Sequence, residues 1–258
     1  MACGRRWDPA GVVLPLATVA AVLAAIQVLS VLGRLPVFLP APSALWAALR
    51  DNPALLIDNM IPTATKAATG FAIAAVIALV GGGIGATVAA SFAPIYTLGA
   101  TLQSIPVIAA TPLLALWLGT GPPTQIIIAV LASQFPMLAG AMQGFRAVDA
   151  RQRELFHTLS AGPLQTLRLL VVPTAASYLF AGFKVAAPAA VLGTITAEWA
   201  GAERGVGAMM LSALFAFDPA TVWLSVFAAC AVAGGGYAFW ALIERVVVFW
   251  DQPMELEP

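Results

Sequence analysis

Charge is what this chain has least of. Its 258 residues hold 12 Lys and Arg and 12 Asp and Glu, 9% of the total. A soluble protein of this length would carry about 65 charged residues. Too little polar surface remains to coat a water-soluble globule, which excludes an ordinary soluble enzyme and a disordered chain. The net charge of zero supplies no basic stripe for nucleic acid and no pull toward an acidic or basic partner. Histidine occurs once, at His157, and cysteine twice, at Cys3 and Cys230, near opposite ends of the chain. Neither a zinc site nor a disulfide framework is supported. Polar–apolar alternation of period two is missing as well, so a β-barrel is excluded.

What is abundant is apolar length. Hydrophobic residues make up 61% of the chain, with a mean hydropathy of +0.93. A bilayer core asks for about 20 consecutive apolar residues in a helix, and helices are the remaining way to satisfy every backbone group in lipid. Six stretches qualify: Gly11–Gly33, Lys66–Ala90, Pro94–Leu118, Thr124–Phe145, Thr174–Ala200 and Pro219–Ile243. The first follows Arg5 and Arg6 but is longer than a signal-peptide core, so it reads as an uncleaved anchor. The expected fold is an all-α integral membrane protein of about six transmembrane helices.

Basic residues set the expected orientation. With the N-terminus cytoplasmic, the inner side holds Arg5, Arg6, Arg146, Arg151, Arg153, Arg168 and Arg245. The outer side then holds Arg34, Arg50, Lys66 and Arg204, and Lys184 falls inside a span. Both termini are expected in the cytoplasm of a multi-pass inner-membrane protein. The chain divides into a cytoplasmic N-terminus (1–10), one membrane domain (11–250) with an inner loop at 146–172, and a cytoplasmic tail (251–258). Pro36–Pro62 reads as an outer connector with an amphipathic piece at Ser43–Arg50, the Pro-Ser pair being a helix-start signal. Val206–Phe215 is a second short outer segment.

The inner loop concentrates Arg146, Arg151, Arg153 and Arg168 with the only histidine. Asp149–Leu159 suits a short helix, with Leu155, Phe156 and Leu159 on an apolar face flanked by Arg151, Arg153 and Glu154. Ser160-Ala161-Gly162-Pro163 breaks it, and Leu164–Val172 begins another helix that Pro173 joins to the fifth span. Helix, break and helix present a compact knob.

Here the chain resembles the inner-membrane permeases of binding-protein-dependent ABC importers. Their signature is Glu-Ala-Ala, three residues, a glycine, and a downstream leucine-proline pair. Glu154 takes the first position, and Val172-Pro173 take the last two. Leu155-Phe156 stand in place of the alanines, and Ser160 stands in place of the glycine. Collinear blocks resemble the nitrate/sulfonate/taurine branch: Pro40-Ala41-Pro42-Ser43, Ser104-Ile105-Pro106, Trp117-Leu118-Gly119-Thr120-Gly121, Gly144-Phe145-Arg146 and Thr196-Ala197-Glu198-Trp199. Ala186–Gly193 looks more like the thiamine-precursor and riboflavin subgroup.

The resemblance implies a type I importer fold and a permease subunit for a small organic or oxyanion solute, with the chain no enzyme itself. It implies that Arg151, Arg153, Glu154, Leu155, Phe156, His157, Leu159, Ser160 and Gly162 couple the permease to a motor. The implied partners are two cytoplasmic ATP-binding subunits, an extracytoplasmic substrate-binding protein, and a second permease copy (a homodimer) or a homologue, all in a lipid bilayer without nucleic acid. This chain has no G-x-x-x-x-G-K-[ST] loop. No cofactor is expected on it; ATP and Mg would sit on the partner ATPase.

Charges inside spans are costly and mark function by default. Lys184 lies eleven residues past Pro173 and is expected at mid-membrane, facing the path or a subunit interface. Glu198, fourteen residues on, is about 21 Å away along the helix, too far to pair with it, and reads as an outer-rim or gate residue. Gln103, Ser104 and Gln134 are the remaining candidates for the path; Gln103 and Gln134 are placed to bond across adjacent spans. Gly81, Gly82, Gly83, Gly85, Gly140 and Gly144 read as helix-packing faces. Pro106, Pro112, Pro136 and Pro188 are candidate kinks. The alternative is an ATP-independent secondary transporter subunit, which would want inverted repeats and paired acids within spans.

Overall fold

Small residues decide which helices touch here. Lipid tails are as apolar as leucine, so helices associate where glycine and alanine let backbones approach. The computed structural model describes residues 9–34, 36 and 38–251, and those residues form helices and connecting turns without a strand. The helices are α1 (Pro9–Val31), α2 (Pro42–Asp51), α3 (Pro53–Thr87), α4 (Ala89–Gln103), α5 (Val107–Leu118) and α6 (Pro122–Arg146). They continue with α7 (Ala150–Thr158), α8 (Pro163–Thr166), a π-turn (Leu167–Val171), α9 (Val172–Glu198), α10 (Val206–Phe215) and α11 (Pro219–Val247).

Helix α6 is the centre, packed along both α3 and α9. It runs parallel to α3 in one register: Lys66 meets Gln125, Gly70 meets Ala129 and Gly82 meets Ala141, each pair 59 positions apart. Helix α9 runs antiparallel to α6, with Gly144 against Ala175, Gly140 against Tyr178 and Gly193 against Ile128. Of the glycines expected to pack, Gly81, Gly82, Gly85, Gly140 and Gly144 lie at helix contacts, whereas Gly83 faces open space. Trp240 of α11 stacks on Phe71 of α3 (5.2 Å between centroids) and meets Phe183 of α9 at 4.8 Å, closing the bundle.

Among the described residues, α3, α6, Pro163–Glu198 and α11 are long and apolar enough to cross a membrane. The expected third span is not straight. Helices α4 and α5 meet at 87° across Ser104–Pro106, because Pro106 has no N–H to continue α4 and adopts an extended conformation. Pro112, Pro136 and Pro188 lie inside continuous helices. Helix α1 covers the first expected run, with its apolar described stretch at Ala17–Val31.

The connector expected at Pro36–Pro62 is largely helical. Helix α3 begins at Pro53, and its 35 residues extend about 52 Å. Lys66 to Thr87 alone covers about 32 Å, one hydrocarbon thickness. The preceding turns from Pro53 to Thr65 extend the same helix as a pillar about 20 Å tall. Helix α2 starts at Pro42 with Ala41 as its N-cap, so Ser43 is not the cap. The Ser43 N–H instead donates to Gln27 Oε1 (3.2 Å), and Gln27 Nε2 donates to Ser43 Oγ (3.1 Å), tying α1 to α2. Proline pre-set at the first helical position needs no donor partner. At the start of α11, Asp218 caps the helix, accepting from the Thr221 N–H (3.2 Å). The Thr221 side chain, then the Thr221 and Ala220 backbone, hold its carboxyl below the usual carboxylate range.

The α6–α9 contact predicts a graded response. A Cβ at Gly140 would lie 2.6 Å from the Tyr178 carbonyl oxygen, so Gly140→Val is expected to lower stability in detergent by about 3 kcal/mol or prevent folding. Gly83→Ala, in open space, is expected to leave the thermal midpoint within about a degree of wild type. Equal midpoints for the two variants would contradict this packing.

Candidate functional site

Two constellations stand at opposite ends of α9. Its first residue follows α7 through α8 and the π-turn, and its last is Glu198, about 39 Å away at 1.5 Å per residue.

At the Glu198 end, four elements converge on one carboxylate. Glu198 is fully buried. Its Oε1 lies 2.6 Å from Lys66 Nζ of α3 and accepts from the Thr63 hydroxyl at 2.8 Å. Its Oε2 accepts from the Gly207 N–H at 2.8 Å. Gly207 is the second residue of α10, so the carboxylate sits against a helix N-terminus, where free N–H groups and the helix dipole favour negative charge. Lys66 Nζ also donates to Gln125 Oε1 of α6 (2.5 Å) and to the Arg204 carbonyl (3.3 Å). The remaining polar groups are matched: the Val206 N–H donates to Thr63 Oγ1, the Gly205 N–H to Asn59 Oδ1, and Gln125 Nε2 to the Thr120 carbonyl. Among the described residues, no buried side-chain nitrogen or oxygen lacks a partner. Gly205 has φ +139°, and a Cβ there would collide with the Glu198 carboxylate. Only glycine lets the chain turn that closely over the acid.

Beside this node lies a pocket of about 460 Å³ between the α3 pillar, the α5–α6 turn and the segment Gly201–Arg204, with Lys66 and Gln125 in its wall.

At the other end, Asp149 caps α7 by accepting from the Arg151 N–H (3.2 Å). Leu155 and Leu159 are more than half exposed, Phe156 is half-buried, and Arg151, Arg153, Glu154 and His157 are exposed. The helix closes with the Ser160 N–H donating to His157 O and the Ala161 N–H to Phe156 O, both at 3.0 Å. This is a Schellman-type end, and Ser160 occupies its left-handed position at φ +55°. The Gly162 N–H donates to Gln165 Oε1 (3.0 Å), starting α8. The π-turn then leads into α9, where Pro173 removes one backbone donor. At the start of the loop the Arg146 guanidinium lies 4.3 Å from the Phe92 ring centroid of α4, a cation–π contact.

The remaining candidates are dispersed. Lys184 pairs with Glu244 of α11 at 2.5 Å, both side chains about one quarter exposed. Glu244 lies three residues from the end of α11 and about 38 Å from its start. Lys184 itself lies near the middle of α9, about 18 Å from its first residue and about 21 Å from Glu198. Gln103 and Gln134 are not joined: Gln134 Nε2 donates to the Gly99 carbonyl (3.2 Å), and Gln103 is exposed at the end of α4. Ser104 bonds back to the Thr101 carbonyl (2.7 Å). Glu198, the last residue of α9, is buried among α3, α6 and α10. Among the described residues, no cluster of three His, Cys, Asp or Glu is placed for a metal ion.

Sequence reasoning missed Lys66, Gln125, Gly205 and Glu244. The basic-residue pattern sets Lys66 only as an outer-side cation at the start of the second span, yet Thr63, Lys66, Gly70, Ala74, Ala78 and Gly82 form one buried stripe. Their three-and-four spacing, read from Thr63, marks it as a core position.

The family model for the binding-protein-dependent transport system inner membrane component matches residues 83–247. The chain belongs to that family. Its relatives include the formylaminopyrimidine transport permease protein ThiX of Halalkalibacterium halodurans, 30% identical over 60% of this chain and 62% of the relative. The riboflavin transport system permease protein RibX of Chloroflexus aurantiacus is 28% identical over 59% of this chain and 57% of its own. The taurine transport system permease protein TauC of Escherichia coli is 27% identical over 79% and 74%. The chain thus spans less than two thirds of the first two. As an ABC permease-family member it is of the nitrate/sulfonate/taurine branch. Glu198 and α7 fall within the family match; Lys66 precedes it.

Replacing Lys66 with Met leaves the buried Glu198 carboxylate without its cation, a change expected to lower stability by about 3–5 kcal/mol. The double variant Lys66→Met/Glu198→Gln removes both charges and is expected to recover more than half of that loss, measured by thermal unfolding in nanodiscs. Strictly additive losses would show that the pair is uncoupled.

Proposed function

We propose that the chain is the permease subunit of an ATP-driven, binding-protein-dependent importer for a small organic or oxyanion solute. One observation carries the coupling part of this reading: an exposed, capped helical knob is joined through α8 and the π-turn to α9, which continues to the far end of the bundle. Leu155 and Leu159 offer apolar contact, and Arg151, Arg153 and Glu154 offer charged contact, to a groove on a separate ATP-binding subunit. Such a knob passes rigid-body displacement into the helix attached to it. ATP and Mg belong to that partner.

In this reading α7 faces the cytoplasm and the Lys66–Glu198 end faces outward, where an extracytoplasmic binding protein delivers the solute. A second copy of the chain covers the exposed apolar face of α5, on which Leu113, Leu116 and Trp117 are 60–80% exposed. The relatives named for formylaminopyrimidine, riboflavin and taurine transport support a small polar cargo.

The test is copurification of the ATPase with the permease, read together with ATP-dependent uptake. Leu155→Asp/Leu159→Asp is expected to abolish ATPase association and to reduce uptake at least a hundred-fold while the permease stays folded. At Ser160 the left-handed backbone costs a branched residue about 1–2 kcal/mol, so Ser160→Val is expected to weaken association and Ser160→Gly to preserve it. ATPase binding that survives the paired aspartates would overturn the α7 assignment.

A further inference from the structure

The turn from α9 into α10 is pinned by side chains at its far end: the Gly205 N–H donates to Asn59, and the first two amides of α10, Val206 and Gly207, donate to Thr63 and Glu198. The amides of Trp199 to Ala202 bond back to α9 carbonyls. The Arg204 carbonyl is held by Lys66. Asn59, Thr63 and Lys66 lie on successive turns of one face of α3, Asn59 and Thr63 in its pillar. The segment in turn forms a wall of the 460 Å³ pocket, and its exposed Glu203 and Arg204 line the pocket's edge. A pocket of this size accommodates a small solute, and it lies at the end of α9 remote from α7.

We infer that Lys66 and Glu198 are positioning residues for solute transfer: they fix residues 199–207 as the surface onto which the extracytoplasmic binding protein docks and releases its cargo. This rests on the importer reading above. The ion pair is buried and so acts through the segment it shapes. The consequence is specific. Loss of the pair should loosen the docking surface and weaken engagement of the binding protein, while the motor end stays intact.

The experiment uses the complete complex in proteoliposomes, with solute-loaded binding protein titrated against ATP hydrolysis. Lys66→Met/Glu198→Gln keeps the site free of an unpaired charge, and Gly205→Ala displaces the segment without altering any charge. Both are expected to raise the half-saturating binding-protein concentration at least ten-fold, with the maximal rate within three-fold of wild type. Lys66→Arg, which keeps a cation, is expected to restore the half-saturating concentration to within three-fold. A fall in maximal rate at unchanged half-saturation, in both the double variant and Gly205→Ala, would overturn the inference. So would wild-type half-saturation in either. If the wild-type complex itself shows no stimulation by binding protein, the importer reading fails, and that outcome is distinguishable from the others.

Discussion

A carboxylate in a membrane protein's interior is tolerated only when its charge is matched, because an isolated buried ion costs several kcal/mol even after relaxation. Glu198 is fully buried, and its match requires three separate pieces of chain: α3 supplies Lys66 and Thr63, α6 supplies the Gln125 that orients the lysine, and α10 supplies its N-terminal amides. None of these groups comes from α9 itself. The requirement to satisfy one acid therefore fixes where four elements sit at this end. The pocket wall and the pillar take their positions from it.

Between the two ends the bundle is built for rigidity. Glycines at the α6–α9 and α3–α6 contacts bring backbones within van der Waals distance, and close-packed helices slide as units more readily than they deform. Helix α9 is continuous from Val172 to Glu198, and its one irregularity in the lead-in is the π-turn before Pro173.

The sequence spoke clearly where hydropathy or helix stops carry the signal. Helices α6, α9 and α11 lie within a few residues of their apolar runs, and the break after α7 falls at Ser160–Pro163 because polar and imino residues interrupt the pattern. The third apolar run concealed the 87° break, since hydropathy is blind to direction and one proline among several gives no angle. Pairing was the least legible part. Lys66 and Glu198 are 132 positions apart, and Lys184 and Glu244 are 60. No local rule links such residues; the packing of α9 against α3 brings the first pair together. Ser160 shows the opposite case, a non-glycine residue in the left-handed conformation that glycine favours.

The central claim is that Glu198 and Lys66 hold residues 199–207 rigid at the bundle's end. Amide hydrogen exchange of that segment in nanodiscs tests it most directly. The account predicts that Gly205, Val206 and Gly207, bonded to Asn59, Thr63 and Glu198, exchange as slowly as amides in the centre of α6. Exchange at the rate of an unstructured surface loop would contradict it.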